Sequence, residues 1–247
     1  MIALRTRSEL DLIRASGEIL RDTFARVEEI LRPGVTTEEL DRAAEDFIRS
    51  QGAVPAFKGY QGFPATICAS VNEEVVHGIP GPRELKEGDI VGIDMGVLKS
   101  GYYADASRTY PIGKVSEEAE ALLRVTKEAL DLAIDKARPG NHLSDISNVI
   151  QTHAESHGYS VVRALVGHGI GRRLHEEPQV PNFGPPGQGP VLKPGMVLAI
   201  EPMINIGTFE VMVRRDRWTY VTVDGKLSAH FEDTVAITED GPWIMTR

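Results

Sequence analysis

The chain has 247 residues, enough to bury a sizeable core, and its 41% hydrophobic and 26% charged residues are typical of a globular protein. A formal net charge of −9 argues against a nucleic-acid partner and an anionic membrane, because no basic surface is available to neutralise phosphates. The first residues, MIALRTRSEL, lack the apolar segment of a signal peptide, and no run approaches the roughly 18 apolar residues of a spanning helix. Cys68 is the only cysteine, so no internal disulfide can form and a reducing cytoplasm is the expected location.

The chain begins with two predicted helices. Amphipathic periodicity predicts the first helix over 8–31, with Ser8 and Asp11 at the spacing of a capping box, and the sequence RPG ends it. Thr36 and Glu39, again at capping-box spacing, predict the start of a second amphipathic helix.

A β-hairpin carrying two acids is predicted next, because the strand-like runs IVGIDMGV and YYADASRTY flank LKSG, which has the composition of a tight turn. If residues 99–100 form the turn, Asp94 lies directly opposite Asp105 and both carboxylates point to one face. Gly92 and Gly96 lie on the same face and leave room for something larger than a side chain. Two bare carboxylates about 5 Å apart repel by roughly 3 kcal/mol at an effective dielectric constant of about 20, so a shared proton or a cation is required.

The second half of the chain repeats the order of the first. Ser116 begins a predicted helix that another RPG ends, 106 residues after the first RPG, and a further amphipathic segment follows. The segment LKEGDIVGID, which ends in Asp94, aligns with LKPGMVLAIE, which ends in Glu201, at an offset of 107. We infer an α/β (α+β) fold made by tandem duplication of a helix–helix–strand unit. The halves, 1–115 and 116–247, share one sheet about a pseudo-two-fold axis, so that the whole chain is a single domain.

Polar residues recur inside strand-like segments of the second half. Glu201 and Glu232, like Asp94 and Asp105, lie in runs from which an unpaired acid is normally excluded, and His168 lies between glycines in GHGIG. Four carboxylates and an imidazole exceed what one proton can stabilise, but they suit two divalent cations about 3.5–4 Å apart. The oxygen-rich set favours manganese, iron(II) or cobalt(II) over a zinc–thiolate site.

Other histidines are more ambiguous. His230 precedes Glu232 by two residues, so it can face the same way and is a candidate extra ligand. His153 and His157 form an i, i+4 pair, but the glutamate of a metalloprotease pair would directly follow the first histidine. A solvent-exposed helix face is therefore the preferred interpretation of that pair, and His142 is interpreted likewise.

Six segments together resemble the type I methionine aminopeptidases: NEEVVHGIP, GDIVGIDMG, ADASRTY, GHGIGRRLHEEPQVPN, GMVLAIEPM and DGKLSAHFEDTVAIT. The resemblance extends over about residues 10 to 238 and implies the pita-bread fold, an antiparallel sheet covered by helices on one side. It implies removal of the N-terminal methionine from nascent proteins and peptides when the second residue is small. Such enzymes are typically monomers, and a transient association with the ribosome, where new chain ends appear, fits this chemistry.

The resemblance also implies the arrangement of the metal ligands. Asp94 would hold one ion, His168 and Glu201 would hold the other, and Asp105 and Glu232 would bridge the two. The ions would be two divalent cations, with Co²⁺, Mn²⁺, Fe²⁺ and Zn²⁺ as the candidates. They would activate a water molecule for attack on the first peptide bond, with Glu201 as the general base.

Substrate contacts are implied in the same way. His175 would stabilise the oxyanion, and His77 would contact the scissile amide or the leaving amine. The apolar methionine pocket would be lined by Phe57, Tyr60, Phe63, Cys68, Leu174 and Trp218. A catalytic thiol is disfavoured because Cys68 lies in the strand-like segment ATICASV. A monovalent cation is expected near Asn72, Glu74 and Ser228.

There are three alternatives to this function. A Xaa-Pro aminopeptidase or prolidase shares the implied fold and ligands but usually carries an additional amino-terminal domain. A non-catalytic binding protein on the same fold would have lost metal ligands, whereas all five positions are filled here. A creatinase-like hydrolase is the third alternative. Release of the first residue from Met-Gly-Met-type and Ala-Pro-type peptides distinguishes the methionine enzyme from the first of these.

Overall fold

A computed structural model describes residues 2–247, in which each half begins with a pair of α-helices. The first half contains α1 (Arg7–Ile30) and α2 (Thr37–Ser50), and the second half contains α3 (Glu117–Lys136) and α4 (Leu143–Ser156). Helices α2 and α4 both have 14 residues and begin 106 positions apart, in agreement with the predicted duplication.

The helix starts follow the predicted capping chemistry with one exception. Helix α2 begins after the Thr36 cap and its Glu39 partner, as predicted. The predicted capping box of Ser8 and Asp11 is wrong, because Thr6 caps α1 and the Glu9 carboxylate accepts the Thr6 backbone N–H at 2.9 Å. Both pairs have the same spacing, but the longer glutamate side chain is the one that reaches back to the cap.

In each half, β-strands follow the helices. The first half contains β1 (Val54–Pro55), β2 (Ile67–Val71), β3 (Glu74–Val76), β4 (Ile90–Lys99) and β5 (Tyr102–Pro111). The second half contains β6 (Ser160–Val161), β7 (Gly167–Gly169), β8 (Glu176–Val180), β9 (Val197–Ile200), β10 (Met203–Asn205), β11 (Val211–Val213), β12 (Tyr220–Thr222), β13 (Ser228–His230), β14 (Glu232–Thr238) and β15 (Gly241–Ile244).

One antiparallel sheet joins the two halves. Its strand order is β1-β4-β5-β14-β9-β7-β8, with β2 beside β4 and β15 beside β14. Strands β5 and β14 meet at the centre, where Ser107 lies opposite Glu232, so the sheet is shared as predicted. Smaller sheets β13-β10-β6 and β11-β12-β3 flank it.

Side-chain alternation divides the sheet into a helix-covered face and a functional face. On β4, Ile93, Met95 and Val97 pack in the same apolar cluster as Leu20 of α1 and Leu40 of α2. Successive residues of a strand point to opposite faces, so the acid at position 94 points away from the helices. Among the helices of residues 2–247, none is long and apolar enough to cross a membrane.

The turn of the β4–β5 hairpin lies one residue later than predicted. Lys99 pairs with Tyr102, which leaves Ser100 and Gly101 as the turn residues, with φ angles of 51° and 81°. Positive φ at both central residues is the signature of a type I′ turn, whose twist matches that of the flanking strands, and glycine adopts it readily at the second position. The sum of paired residue numbers is therefore 201 rather than the expected 199.

This shift changes the pairing of the two acids but not their orientation. Asp94 lies opposite Ser107 and Asp105 lies opposite Gly96, so the predicted direct pairing of the acids is wrong. A displacement of one strand by two residues returns every side chain to its original face. Asp94 and Asp105 are consequently diagonal neighbours on the functional face.

The glycines on this face serve a different purpose from the one predicted. A Cβ atom at Gly96 would lie 2.9 Å from side-chain atoms of both Ala56 and Phe57, and one at Gly92 would lie 3.5 Å from the Thr109 hydroxyl oxygen. The expectation that Gly96 leaves open room is therefore wrong. Because Gly96 has no side chain, the ring of Phe57 can pack directly against the strand at this position.

Candidate metal centre

Five adjacent strands, β4, β5, β14, β9 and β7, bring the predicted ligands to one face of the sheet. Ser107 on β5 is paired with Asp94 on one side and with Glu232 on the other. Ile200 on β9 pairs with the residue after Glu232, so Glu201 emerges at the level of Glu232 as the strand ends. His168 on β7 lies opposite Ala199 of β9, two positions before Glu201 and on the same face. The register thus gathers acids that are distant in sequence.

The His168 imidazole points into this acid cluster. Its Nε2 atom lies 3.8 Å from Asp105 Oδ2 and 3.7 Å from Glu201 Oε1. Its Nδ1 atom lies 2.9 Å from the Gly169 carbonyl oxygen. Since a carbonyl only accepts, Nδ1 carries the proton and the Nε2 lone pair faces the carboxylates, which is the tautomer that a metal ion requires.

Burial raises the pKa of every carboxyl group in the cluster. The pKa of Asp94 is raised to about 7 by desolvation. Desolvation, with repulsion from neighbouring acids, also raises the pKa of Asp105, Glu201 and Glu232 well above the ordinary range. Burial lowers the pKa of His168 to about 3, so this imidazole is neutral near pH 7 and cannot supply the missing positive charge.

Asp233, the residue after Glu232 on β14, is a buried structural carboxylate that has cationic partners. Asp233 is fully buried on the helix-covered face, where Arg108 Nη2 donates to its Oδ1 atom at 2.5 Å and Arg247 Nε to its Oδ2 atom at 2.7 Å. The Thr246 hydroxyl adds a third hydrogen bond at 2.7 Å. Within residues 2–247, the carboxylates on the functional face differ from Asp233 because no lysine or arginine side chain is paired with them.

The donor atoms fit divalent metal ions. Among residues 2–247, hydrogen-bond partners are missing for the buried atoms Asp94 Oδ1, Asp105 Oδ1 and Glu232 Oε1. Asp105, His168 and Glu232 each offer a ligand atom, and these atoms lie within 4.8 Å of one another. Buried polar atoms without partners are costly, and an oxygen-rich set with one imidazole suits hard to borderline divalent cations.

His230 stands beside the centre. Its Nε2 atom lies 3.8 Å from Glu201 Oε2 and 4.0 Å from Glu232 Oε2, and burial lowers its pKa to about 3. Within residues 2–247, the side chain of His230 is not among those that line the cavity faced by the other ligands. A role for His230 as an additional ligand stays a prediction.

A cavity of about 140 Å³ opens on the acid cluster. Apart from the candidate extra ligand His230, every residue predicted for the metal centre, the catalytic histidines and the methionine pocket lines it: Phe57, Tyr60, Phe63, Cys68, His77, Asp94, Asp105, His168, Leu174, His175, Glu201, Trp218 and Glu232. Gln61, in the short 3₁₀ helix Tyr60–Gly62, also lines it and was not predicted, since an exposed polar residue carries no sequence signal of its position. Its φ of 49° is uncommon for a residue other than glycine.

The cavity combines an apolar wall with a buried thiol. The rings of Phe63 and Trp218 meet edge to face with centroids 5.2 Å apart. Cys68 on β2 lies opposite Asp94, and burial, with the charge of Asp94 as the next cause, raises the pKa of the thiol well above its ordinary value. A protonated buried thiol behaves as a small apolar group, in agreement with the interpretation from the sequence.

Two histidines stand at the cavity next to the acids. The His175 ring centroid lies 4.2 Å from that of His168, and desolvation lowers the pKa of His175. The Tyr60 hydroxyl oxygen lies 2.8 Å from His175 Nδ1, a hydrogen bond that the sequence did not indicate. His77 has a φ of 60°, a strained conformation for its residue type, and desolvation lowers its pKa to about 4.

The three residues near which a monovalent cation is expected lie together around β3. The backbone N–H of Ser228 donates to the Asn72 carbonyl at 3.0 Å. The Glu74 carboxylate accepts the Val71 N–H at 2.8 Å and is paired with two guanidinium groups, those of Arg83 and Arg214. Because that carboxylate is already neutralised, a cation here would depend on other oxygens, and the site stays a prediction.

Outside the cavity, the remaining histidines differ in part from expectation. His142 precedes α4 as its N-cap and does not lie on the helix face. His157 is exposed as predicted, whereas the side chain of His153 retains only 17% of its accessible surface. The exposed-face interpretation is therefore wrong for His153, which packs toward α3.

Comparisons with known proteins agree on one family. A sequence model of metallopeptidase family M24 matches residues 11–239. A methionine aminopeptidase of Clostridium perfringens is 57% identical over 246 residues, which cover 100% of this chain and 99% of that protein. The crystal structure of a methionine aminopeptidase from Thermotoga maritima superposes with a TM-score of 0.99 at 46% identity and covers 100% of both chains. A prolidase from Pyrococcus furiosus gives a TM-score of 0.81 at 25% identity, covering 99% of this chain and 65% of that one.

Proposed function

Because the chain belongs to metallopeptidase family M24, we propose that it removes the N-terminal methionine from peptides and nascent proteins whose second residue is small. The chain is a hydrolase of the metalloexopeptidase class, and its fold is the pita-bread fold of that family. The observation that carries the proposal is the buried set of four carboxylates and one imidazole at an aromatic-lined cavity. We treat residues 1–247 as one catalytic domain, which the sheet shared by β5 and β14 supports.

Five residues are proposed to hold two divalent ions in this cavity. Asp94 would hold one, His168 and Glu201 would hold the other, and Asp105 and Glu232 would contact both. Such ions polarise a carbonyl oxygen and make a water molecule acidic enough to act as a nucleophile near neutral pH. Co²⁺, Mn²⁺, Fe²⁺ and Zn²⁺ are the candidates, and the mostly oxygen ligands favour the first three.

The protein side chains supply proton transfer and orientation. Glu201 is proposed as the general base, because its carboxylate is buried at the end of β9 and already has a raised affinity for a proton. His175 is neutral near pH 7 because its pKa is lowered, and a neutral imidazole keeps one N–H, which would donate a hydrogen bond to the oxyanion that develops on the scissile carbonyl. His77, also neutral, is placed to contact the scissile amide or the leaving amine.

Tyr60 can set the tautomer of His175, because its hydroxyl contacts Nδ1. If the Tyr60 hydroxyl donates to Nδ1, the ring proton must be on Nε2, and Nε2 becomes the donor for the oxyanion. This assignment gives Tyr60 a positioning role in addition to its place in the pocket wall.

The cavity also accounts for the choice of substrate. A flexible thioether side chain suits an irregular apolar wall of aromatic rings and a protonated thiol, where sulfur–aromatic contacts are favourable. The free amino group of the substrate is proposed to bind near Asp94, which selects chain ends over internal peptide bonds. The substrate is therefore the exposed amino terminus of a polypeptide; a cytoplasmic location, a monomeric state and a transient ribosome association belong to the same proposal.

The test is release of the first residue from Met-Gly-Met and from Ala-Pro-Gly after chelation and return of a divalent ion. We expect methionine to be released, chelation to abolish the activity and the ion to restore it. Glu201→Gln, which keeps the shape of the side chain, is expected to lower kcat by at least about 10²-fold, since it removes the base. Glu155→Gln, which alters an exposed side chain on α4, is the matched control.

Two outcomes would oppose the proposal. Release of alanine from Ala-Pro-Gly without release of methionine would assign the chain to the prolidase type of this fold. Activity that survives exhaustive chelation would refute the metal-dependent mechanism whatever the substrate. Retention of full activity by Glu201→Gln would refute only the assignment of the base.

A further inference from the structure

A second group of metal-ligand side chains lies on the helical layer, outside the cavity described above. Glu128 belongs to α3, His153 belongs to α4, and His157 is the C-cap residue directly after α4. Each of the three offers one nitrogen or oxygen ligand atom, and these atoms lie within 4.8 Å of one another. The cluster joins two helices that the sequence separates by a turn and a loop.

The spacing of these atoms suits a small tetrahedral ion. His153 Nε2 lies 3.2 Å from Glu128 Oε2. Two ligand atoms on a tetrahedral zinc ion are separated by roughly 3.3 Å when their bonds are 2.0–2.1 Å long, so this pair already spans one edge of the tetrahedron. The two imidazole rings lie on one helix face with centroids 4.7 Å apart, as histidines at i and i+4 do in helical zinc sites.

The hydrogen bonds of His157 leave the correct nitrogen available. Its Nδ1 atom lies 2.9 Å from the His153 carbonyl oxygen, which can only accept, so Nδ1 carries the proton. The Nε2 atom of a neutral ring in this tautomer presents a lone pair, and a backbone carbonyl on the other nitrogen is the usual partner of a ligating histidine.

His153 contributes a buried atom that lacks a well-formed hydrogen bond. Its Nε2 lies near the Glu128 carboxylate, but this contact does not have hydrogen-bond geometry, and the atom makes no other hydrogen bond within residues 2–247. A buried nitrogen in this state costs free energy that a cation shared with the carboxylate would recover. This is the observation that distinguishes the cluster from an ordinary exposed histidine pair.

One existing contact competes with a metal ion. Arg124 Nη1 lies 3.2 Å from Glu128 Oε1 and 3.4 Å from its Oε2. Both side chains are well exposed, at 58% and 42% of their accessible surface. Exposed i, i+4 ion pairs contribute little to stability, so Arg124 can move aside at small cost.

We propose that Glu128, His153 and His157 form a surface site for a borderline divalent cation, for which Zn²⁺ is the probe. Two imidazoles and one carboxylate supply three ligands, and water completes the tetrahedron. Imidazole-rich sets favour Zn²⁺, Cu²⁺ and Ni²⁺ over Mg²⁺ and Ca²⁺, so this site differs in preference from the oxygen-rich centre in the cavity. A bound ion ties α3 to α4 and stabilises the second half of the fold.

The experiment counts Zn²⁺ ions bound to the full chain, by equilibrium dialysis and elemental analysis after the protein has been stripped with a chelator. We expect His157→Ala to bind one ion fewer than the wild type, or to bind that ion at least about tenfold more weakly, because one of three protein ligands is gone. Glu128→Gln is expected to act in the same direction. Glu155→Gln, on the same helix but outside the cluster, is the matched control and should keep the wild-type count.

A second measurement separates this site from the catalytic centre. Zn²⁺ should raise the Tm of the wild type more than that of His157→Ala, while both proteins release methionine at equal rates once a divalent ion is returned. His157 is exposed, so its replacement should not impair folding. Equal Zn²⁺ counts and affinities for wild type and His157→Ala would overturn the proposal, as would an equal loss in Glu155→Gln.

Discussion

Replacement of Tyr60 by phenylalanine isolates the hydrogen bond that orients His175. The hydroxyl oxygen lies 2.8 Å from His175 Nδ1, and the two rings lie 5.3 Å apart, so the variant keeps the ring in the pocket wall and removes only the hydroxyl group. Without it, His175 can take either neutral tautomer, and one of the two presents no donor to the oxyanion.

The expected fall in kcat corresponds to the loss of one partly exposed hydrogen bond between two uncharged groups. Such a bond contributes about 1 kcal/mol, which corresponds to a roughly fivefold fall in rate. The loss should appear in kcat, with KM nearly unchanged, because the oxyanion forms only in the transition state. Removal of the donor itself by His175→Ala should cost more, about 10²–10³ in kcat.

The assay is steady-state release of methionine from Met-Gly-Met by four proteins: wild type, Tyr60→Phe, His175→Ala and the double variant. Tyr60→Phe should have little further effect once His175 is absent, since its role runs through that ring. Tyr110→Phe, which removes a hydroxyl bonded to Glu28 on the helical side, controls for a general loss of stability. An equal fall in kcat caused by Tyr60→Phe in the presence and absence of His175 would refute the positioning role.

Three further predictions test the site and the fold. Asp105→Ala should lose both metal ions, whereas Asp94→Ala should keep the one at His168; elemental analysis that finds the same metal count in both variants would contradict the bridging assignment. Gly96→Ala should push Phe57 away from the strand and destabilise the protein by about 1–3 kcal/mol, with a higher KM for methionyl peptides; an unchanged urea midpoint and KM would contradict this. The pKa of Asp94 is raised from 3.8 to about 7 on folding, so the chelated wild type should lose stability relative to chelated Asp94→Asn as pH rises through that window, by up to about 1.4 kcal/mol per pH unit. The comparison with Asp94→Asn cancels the opposite contribution of the buried histidines, and a wild type that gains stability relative to the variant between pH 4 and 7 would contradict the sign.

Much of the centre could be predicted from the sequence because it depends on local patterns. An acid inside a strand-like run signals an uncompensated charge, and the repeat that relates Asp94 to Glu201 indicates that two such strands share a sheet. Helix starts at Thr36 and Ser116 follow from the capping chemistry of single residues. The alternation of side chains along a strand then gives the face of each acid. The predicted hairpin register is wrong by two residues, but a shift of two residues leaves every side chain on the same face.

The remaining details depend on contacts between distant segments. The open room predicted at Gly96 is filled by Phe57, which a loop before β2 delivers. The bond between Tyr60 and His175 joins residues 115 positions apart, and neither residue has a local pattern that indicates the other. His153 likewise appears solvated in sequence, because the α3 face against which it packs is set by the crossing of two helices.

The most direct test of the metal centre is a crystal of the protein grown with Mn²⁺ and measured near the manganese absorption edge. Two anomalous peaks are expected in the cavity, both in contact with Asp105 and Glu232, one also with Asp94 and the other with His168 and Glu201. Bound manganese at full occupancy that avoids these carboxylates, or a cavity without any anomalous peak at saturating Mn²⁺, would contradict the account.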